Sequence, residues 1–276
     1  MAKSNENAQL LLKVIARYSP EDAGSLGVEG LDDQITVLSS NRPEQFRRDI
    51  AAVRKQLQER LSAETDPLVK QDLQILIAET ERNLKESEAN ERLLLPYSDV
   101  AGTIFFGVKS LLDDQVAASR RPAALARLKK YTGLTAGFEP TTLLAEKLFR
   151  AKLSRPGIIG PAKAEVEQNL ADSKAYVTGI GLLLEKYKIS GYQDAYARLK
   201  QQLGEYDDFV RKEVLPKSRD DFRLPPELYS LGLVQYGVYY PLDELTRLAH
   251  EKFTEWQREM QTIATKIAKE RHLPSS

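Results

Sequence analysis

Apolar residues recur along this chain at intervals of three and four almost from end to end, the spacing that gathers them on one face of an α-helix. Leu11, Val14, Ile15 and Tyr18 make the first such face. Ser19-Pro20-Glu21-Asp22 then reads as a new helix start, with serine as cap, proline at the first position and acids in the first turn. Gly24, Gly27 and Gly30 stop it, and Val28 to Arg42 is polar and irregular, predicting a surface loop. Pro43 opens a helix running to about Leu61, and Asp66-Pro67 opens another to about Asn90. Only a few residues join them, so they are expected to fold back as an antiparallel hairpin.

Leu93 to Tyr97 breaks the periodicity, and the most apolar segment follows, Asp99 to Asp114. Its Ile104, Phe105, Phe106, Val108, Leu111 and Leu112 nearly encircle a helix, the pattern of an element buried on several sides. Pro122 opens a short helix ending at Gly133, and Thr141 or Thr142 caps another that ends before Pro156. From Pro161, Val166, Leu170, Ser173, Val177, Ile180, Leu184 and Tyr187 alternate at spacings of four and three. After Gly191 the stripe resumes with Tyr196, Leu199, Leu203, Tyr206 and Val210. Two such stripes across a tight turn predict a core pair, Pro161 to Lys188 and Gly191 to Leu215, packed antiparallel as in a coiled coil. A last helix of roughly 30 residues begins at Pro241, about 45 Å long at ~1.5 Å per residue. No strand pattern and no fixed-period repeat is present. The fold class expected is all-α, a multi-helix bundle with long antiparallel pairs. It forms either a single helical domain over residues 1–276 or the N-terminal half of a larger protein, with a subdivision near residues 156–161.

Composition narrows the function. Hydrophobic residues are 42% of the 276, enough for a sizeable core, and charged residues are 29%. That is above the usual ~25% and suits long helices with solvated faces. Forty basic residues balance forty acidic ones. This argues against a nucleic-acid or anionic-membrane binder, which would carry a basic excess. No segment approaches the ~20 continuous apolar residues of a transmembrane helix. The polar N-terminus and the interruption of Leu10-Leu11-Leu12 by Lys13 do not make a signal-peptide core.

Candidate chemistry is sparse. His250-Glu251 lies in the final helix, but a His-Glu-x-x-His zinc site needs a second histidine one turn on, where this chain has Thr254. The other histidine, His272, is too far along to share the face, and there is no cysteine. A zinc site would need several carboxylates instead. Four Asp-Asp doublets, at 32–33, 113–114, 207–208 and 220–221, each lack the third aspartate one turn away that would build a magnesium-holding face. They read as helix ends and solvated faces. Arg120-Arg121 reads as a solvated pair, with the alternative of a carboxylate clamp. Tyr229, Tyr236, Tyr239 and Tyr240, with Arg223 and the single tryptophan Trp256, are the candidates for a cleft or interface. Tyrosine hydroxyls beside an arginine can line a peptide- or sugar-binding cleft, or the rings can simply pack helices.

Several stretches resemble the bacterial domain-of-unknown-function family 885. They are Tyr18 to Ala23 leading to Gly27 to Asp32; Leu111 to Val116 with Arg121 to Leu125; Glu185 to Gln193; and Phe209 to Pro216 followed by Asp221 to Tyr229. The resemblance implies a largely helical protein related to zinc carboxypeptidase-like folds, often exported or lipid-anchored. It implies that zinc belongs to a His-Glu-x-x-x-Gly-His helix in a C-terminal half beyond Ser276, so no catalytic or metal residue is expected in this chain. The expected function is the non-catalytic helical part of a metallopeptidase-like hydrolase, inactive alone, lining the cleft for a peptide substrate. Its partners would be that C-terminal half or a second copy. The alternative is a free-standing helical module that binds or scaffolds a protein partner.

Overall fold

The computed structural model describes residues 2–272. Among these, eleven α-helices account for the architecture, and the only β-type pairings are two isolated parallel bridges, Leu94 with Ile159 and Ala162 with Arg219. The protein is all-α. Among the described residues no helix is long and apolar enough to cross a membrane. The chain separates into two compact units, Met1–Arg223 and Leu224–Ser276. Residues 156–161 lie inside the first.

The first unit holds two cores. The smaller is a three-helix cluster of α1 (Ala2–Tyr18), α3 (Arg42–Ala63) and α4 (Pro67–Leu93), closed by Leu11, Ile50, Val53, Leu57, Val69 and Leu73. The side chain of Asp66 starts α4 by accepting from the Leu68 amide at 2.9 Å, and Pro67 follows at the first helical position, where its missing N–H costs nothing. Arg47 on α3 reaches Glu91 on α4 at 2.7 Å, so the start of one helix meets the end of the other, as an antiparallel hairpin requires. The short α2 (Pro20–Ser25) leads into the irregular segment expected from Val28 to Arg42.

The larger core surrounds α5 (Val100–Lys109), with α6 (Ala123–Tyr131), α7 (Thr141–Lys152), α8 (Lys163–Lys186) and α9 (Gln193–Phe209) around it. The burial read from the sequence holds in part: Ile104 and Val108 are buried, together with Val100 and Ala101, whereas Phe106 is 57% exposed. The helix is shorter than that reading, however. It stops at Lys109, and Leu111 and Leu112 enter the core from a turn instead. Side-chain bonds hold that turn: Asp113 accepts from the Gln115 amide at 3.0 Å, and Arg121 donates to the Val116 carbonyl at 3.0 Å. These local partners compete with helix continuation.

The expected α8–α9 pair forms. Tyr192 lies against Glu185, and the Tyr196 hydroxyl donates to the Val177 carbonyl at 3.1 Å, so residues further along α9 meet residues earlier in α8. Gly181 admits the Tyr196 ring, which a methyl group there would strike. Both ends differ from the sequence reading. Helix α8 begins at Lys163 rather than Pro161, because Pro161 and Lys163 bond to the backbone of Arg219. Helix α9 gives way at Val210 to one π-helical turn, Val210–Val214, and then a 3-10 turn, Leu215–Lys217. The second unit carries α10 (Pro226–Gln235) and the long α11 (Leu242–Glu270).

Leu203 is 1% exposed in the larger core. Leu203→Ala is expected to cost about 2–5 kcal/mol of unfolding free energy, the range for a buried leucine truncation. Urea denaturation measures it, and a loss under about 0.5 kcal/mol, the surface range, would contradict the packing described.

Candidate functional site

A groove of about 790 Å3 in the first unit is bounded by α2, the 36–38 segment, α5 and the turn that follows it. Ser19, Thr36, Thr103, Phe106, Lys109 and Ser110 are among its walls. The groove mixes hydroxyl-bearing, charged and apolar side chains, with Phe106 as its exposed aromatic ring.

Its shape depends on a charged network behind it. Asp32 grips Arg120 through two hydrogen bonds, Nε to Oδ2 at 2.9 Å and Nη2 to Oδ1 at 2.7 Å. The guanidinium holds the Asp32 carboxyl below its ordinary range. Asp33 takes Lys130 Nζ at 2.9 Å, and its carboxyl is lowered for the same reason. The doublet thus staples the irregular segment to α6 and the turn before it. Arg120 is the carboxylate clamp rather than half of a solvated pair. Arg121 lies over the Tyr187 ring, 4.7 Å from its centroid. Glu21 accepts from the Thr36 amide at 2.8 Å, the Thr36 hydroxyl at 2.7 Å and the Tyr131 hydroxyl at 2.7 Å. Burial, reinforced by the Glu21 charge, pushes the Tyr131 phenol well above its ordinary value, so that it remains a donor.

Arg127 is the least expected member. It is 1% exposed, yet no carboxylate pairs with it. Its Nη1 donates to the Gly107 carbonyl at 2.7 Å and to Ser110 Oγ at 2.9 Å, its Nη2 donates to the Leu31 carbonyl at 3.2 Å, and its Nε has no partner. One guanidinium therefore ties together the end of α5, α6 and the segment after α2. The sequence held a signal for it: Arg127 falls in the apolar stripe Ala124, Leu128, Tyr131, where a solvated arginine would not sit.

A second polar cluster lies where the start of α5 meets α8 and α9. Asp99 caps α5, accepting from the Gly102 amide at 2.9 Å. Burial raises the carboxyl pKa of Asp99, with the charge of Asp172 adding to it, and burial raises that of Asp207 too. The Tyr97 phenol is pushed up to about 12, again chiefly by burial. The Tyr206 hydroxyl donates to the Ser98 carbonyl at 2.8 Å. Among the described residues no ion pair forms to Asp99, which sequence spacing alone could not reveal because its neighbours come from three helices.

The residues singled out from sequence sit elsewhere. Arg223 ends the first unit, with its guanidinium on Asp221 at 2.7 Å. Tyr229, Tyr236, Tyr239, Tyr240 and Trp256 belong to the second unit and are all exposed. Among the described residues none of these five makes a ring contact or a side-chain hydrogen bond. The other doublets are engaged in part: Asp114 with Lys186 and Tyr187, Asp208 with Arg211, Asp220 with Lys163.

The segments that converge on this network, Tyr18 to Ala23, Gly27 to Asp32, Leu111 to Val116 and Arg121 to Leu125, carry the resemblance drawn from sequence. A sequence model described as a bacterial protein of unknown function, DUF885, matches residues 20–275. The chain belongs to the DUF885 family. No curated protein and no solved structure matches it. Thr254 Oγ1 bonds back to the His250 carbonyl at 2.9 Å, Glu251 is taken by Arg247, and no group of three His, Asp or Glu among the described residues is arranged to hold a metal ion. Leu273 to Ser276, at the approach to the expected zinc-bearing half, lie outside the described residues.

Arg127→Met is expected to cost about 1–3 kcal/mol, since its acceptors keep other partners but lose a buried charged donor. Phe106→Ala, at an exposed ring, should stay within about 0.5 kcal/mol. Equal effects of the two in thermal or urea unfolding would refute the anchoring role of Arg127.

The two kinds of aspartate should respond oppositely to pH. A lowered carboxyl such as Asp32 adds stability above the unfolded-state pKa and loses it as pH falls through the folded-state value. A raised one such as Asp207 destabilises the ionised protein at neutral pH, and acid relieves it. Asp32→Asn should therefore cost up to about 1 kcal/mol at neutral pH, whereas Asp207→Asn should stabilise. Both differences should vanish in strong acid. Chemical denaturation of both variants at neutral and acid pH checks the signs.

Proposed function

We propose that this chain supplies the helical, non-catalytic part of a metallopeptidase-like hydrolase and that the groove beside α5 is one wall of its substrate cleft. The observation that carries this reading is that four of the seven segments carrying the resemblance, Tyr18 to Ala23, Gly27 to Asp32, Leu111 to Val116 and Arg121 to Leu125, converge behind one groove. Hydroxyls and one exposed ring suit hydrogen bonding to an extended peptide together with packing of an apolar side chain. Glu21, Asp32, Arg120 and Arg127 act as positioning residues, since they fix the walls through bonds within the first unit: Asp32 with Arg120, Glu21 with Thr36 and Tyr131, and Arg127 with Gly107, Ser110 and Leu31. The metal and the groups that activate water belong, on this reading, to residues outside this chain.

A second reading, a free-standing helical module for a protein partner, is favoured by one observation. The second unit exposes Phe253, Trp256, Met260 and Ile263 on a single helix.

The two readings separate in a reconstitution. The chain is assayed for peptide hydrolysis with and without zinc, alone and mixed with the histidine-bearing C-terminal part of a longer family member. The hydrolase reading expects activity only in the zinc-supplied mixture, weakened by Phe106→Ala. A complex that forms but stays inactive with zinc, or hydrolysis by this chain alone, overturns it.

A further inference from the structure

Helix α11 is 29 residues long and has no buried side chain among those described. Its apolar residues are nevertheless ordered. Phe253, Trp256, Met260, Ile263 and Ile267 follow at spacings of three, four, three and four, with exposures of 65, 61, 69, 58 and 43%. That is an unbroken run of a and d positions of a heptad. A helix with a continuous apolar face is stabilised mainly by packing that face. The stripe therefore lacks the partner that its sequence is patterned for.

The charges on the same helix identify one. Its first half, Leu242 to Trp256, carries Asp243, Glu244, Glu251 and Glu255 against Arg247 and Lys252. Its second half, to Arg271, carries Arg258, Lys266, Lys269 and Arg271 against Glu259 and Glu270. The helix is acidic at one end and basic at the other, so it is complementary to itself reversed. We propose that α11 is a homodimerisation element that pairs antiparallel with α11 of a second copy of this chain. Centring the pair on Phe253 against the partner's Trp256 continues the stripe through Ala249 against the partner's Met260. This register sets Lys252 beside the partner's Glu259, twice by two-fold symmetry. A parallel pair would instead set Lys252 beside the partner's Gln257 and Lys266 beside the partner's Arg271, a like-charge contact. The contact is isologous and closes at two copies, as a two-fold axis demands. This inference uses only the second unit and holds whether or not the hydrolase reading does.

The test is sedimentation equilibrium of the full chain across micromolar concentrations, with emission from Trp256, its only tryptophan. A dimer is expected, with Trp256 emission moving to shorter wavelength as it forms. Met260→Glu should leave a folded monomer, with the helix content of the first unit retained by circular dichroism. Lys252→Glu should weaken the dimer roughly fivefold, as the loss of two exposed ion pairs implies, and Glu259→Lys in the same chain should restore it. A chain that stays monomeric throughout overturns the proposal, as does a dimer indifferent to Met260→Glu, which would use another surface. Failure of the double charge reversal to rescue refutes the antiparallel register. Trp256 emission that shifts only when anionic lipid vesicles are added would assign the face to a bilayer and also overturn it.

Discussion

A ten-residue helix with apolar side chains on nearly every side has to be enclosed, and α5 imposes that requirement on the first unit. Burying it from several directions takes helices that approach closely on different faces. Gly107 meets the Tyr131 hydroxyl where any β-carbon would collide, so α6 can lie against α5 only because residue 107 has no side chain. The aromatic stack of Phe105 on Tyr176, with centroids 5.0 Å apart, seals the side toward α8. Enclosure also strands polar groups. The carbonyls at the end of α5 are removed from bulk water, and a buried carbonyl without a donor is costly. Arg127 supplies donors there, at Gly107 and at Ser110. A burial requirement thus ends in a charged side chain at the centre of the molecule.

The groove follows from the same requirement. With Arg127 also bonded to the Leu31 carbonyl, the irregular segment after α2 is drawn toward α5. Asp32 and Asp33 fasten its next two positions, and Glu21 with Thr36 fastens its far side. Surface ion pairs contribute little one at a time. Here several of them act on one stretch of backbone that has no secondary structure of its own, so each bond fixes the loop for the next. That makes a wall from a segment rich in glycine and polar residues, and it leaves Ser19, Thr36 and Ser110 facing a space of fixed width.

The periodic parts of this architecture were legible in the sequence because a helix face is a local property. The stripe from Val166 to Leu184 and the stop at Gly191 define α8 and its turn without reference to anything distant. The hairpin of α3 and α4 follows from Pro43, Pro67 and the brevity of their connection. What was not legible depends on side chains reaching across the chain. Arg120 and Asp32 are 88 residues apart and look like two solvated charges until folding joins them. Asp99 looks like an ordinary cap until α8 and α9 bury it. The start of α8 moved by two residues because Pro161 and Lys163 are bound by Arg219, a contact 56 residues away from the nearer of them that no local pattern encodes. The tyrosines near Arg223 drew notice for their clustering along the chain, but proximity in sequence placed no two of those rings in contact.

The two units manage apolar surface in opposite ways. In the first, the stripe residues Val166, Ile180 and Leu184 of α8 and Leu199, Leu203 and Tyr206 of α9 are buried in one core. In α11 a stripe of equal regularity meets none, while its charges are sorted by sign along the helix. A pattern of that kind has little use on a helix meant to stay single, since solvated faces need charge but not segregation. Heptad spacing sets where a partner helix must lie, and the gradient from acidic to basic sets which way it must run. The same residues that leave the apolar face of α11 uncovered are therefore the ones on which the proposed antiparallel pairing rests.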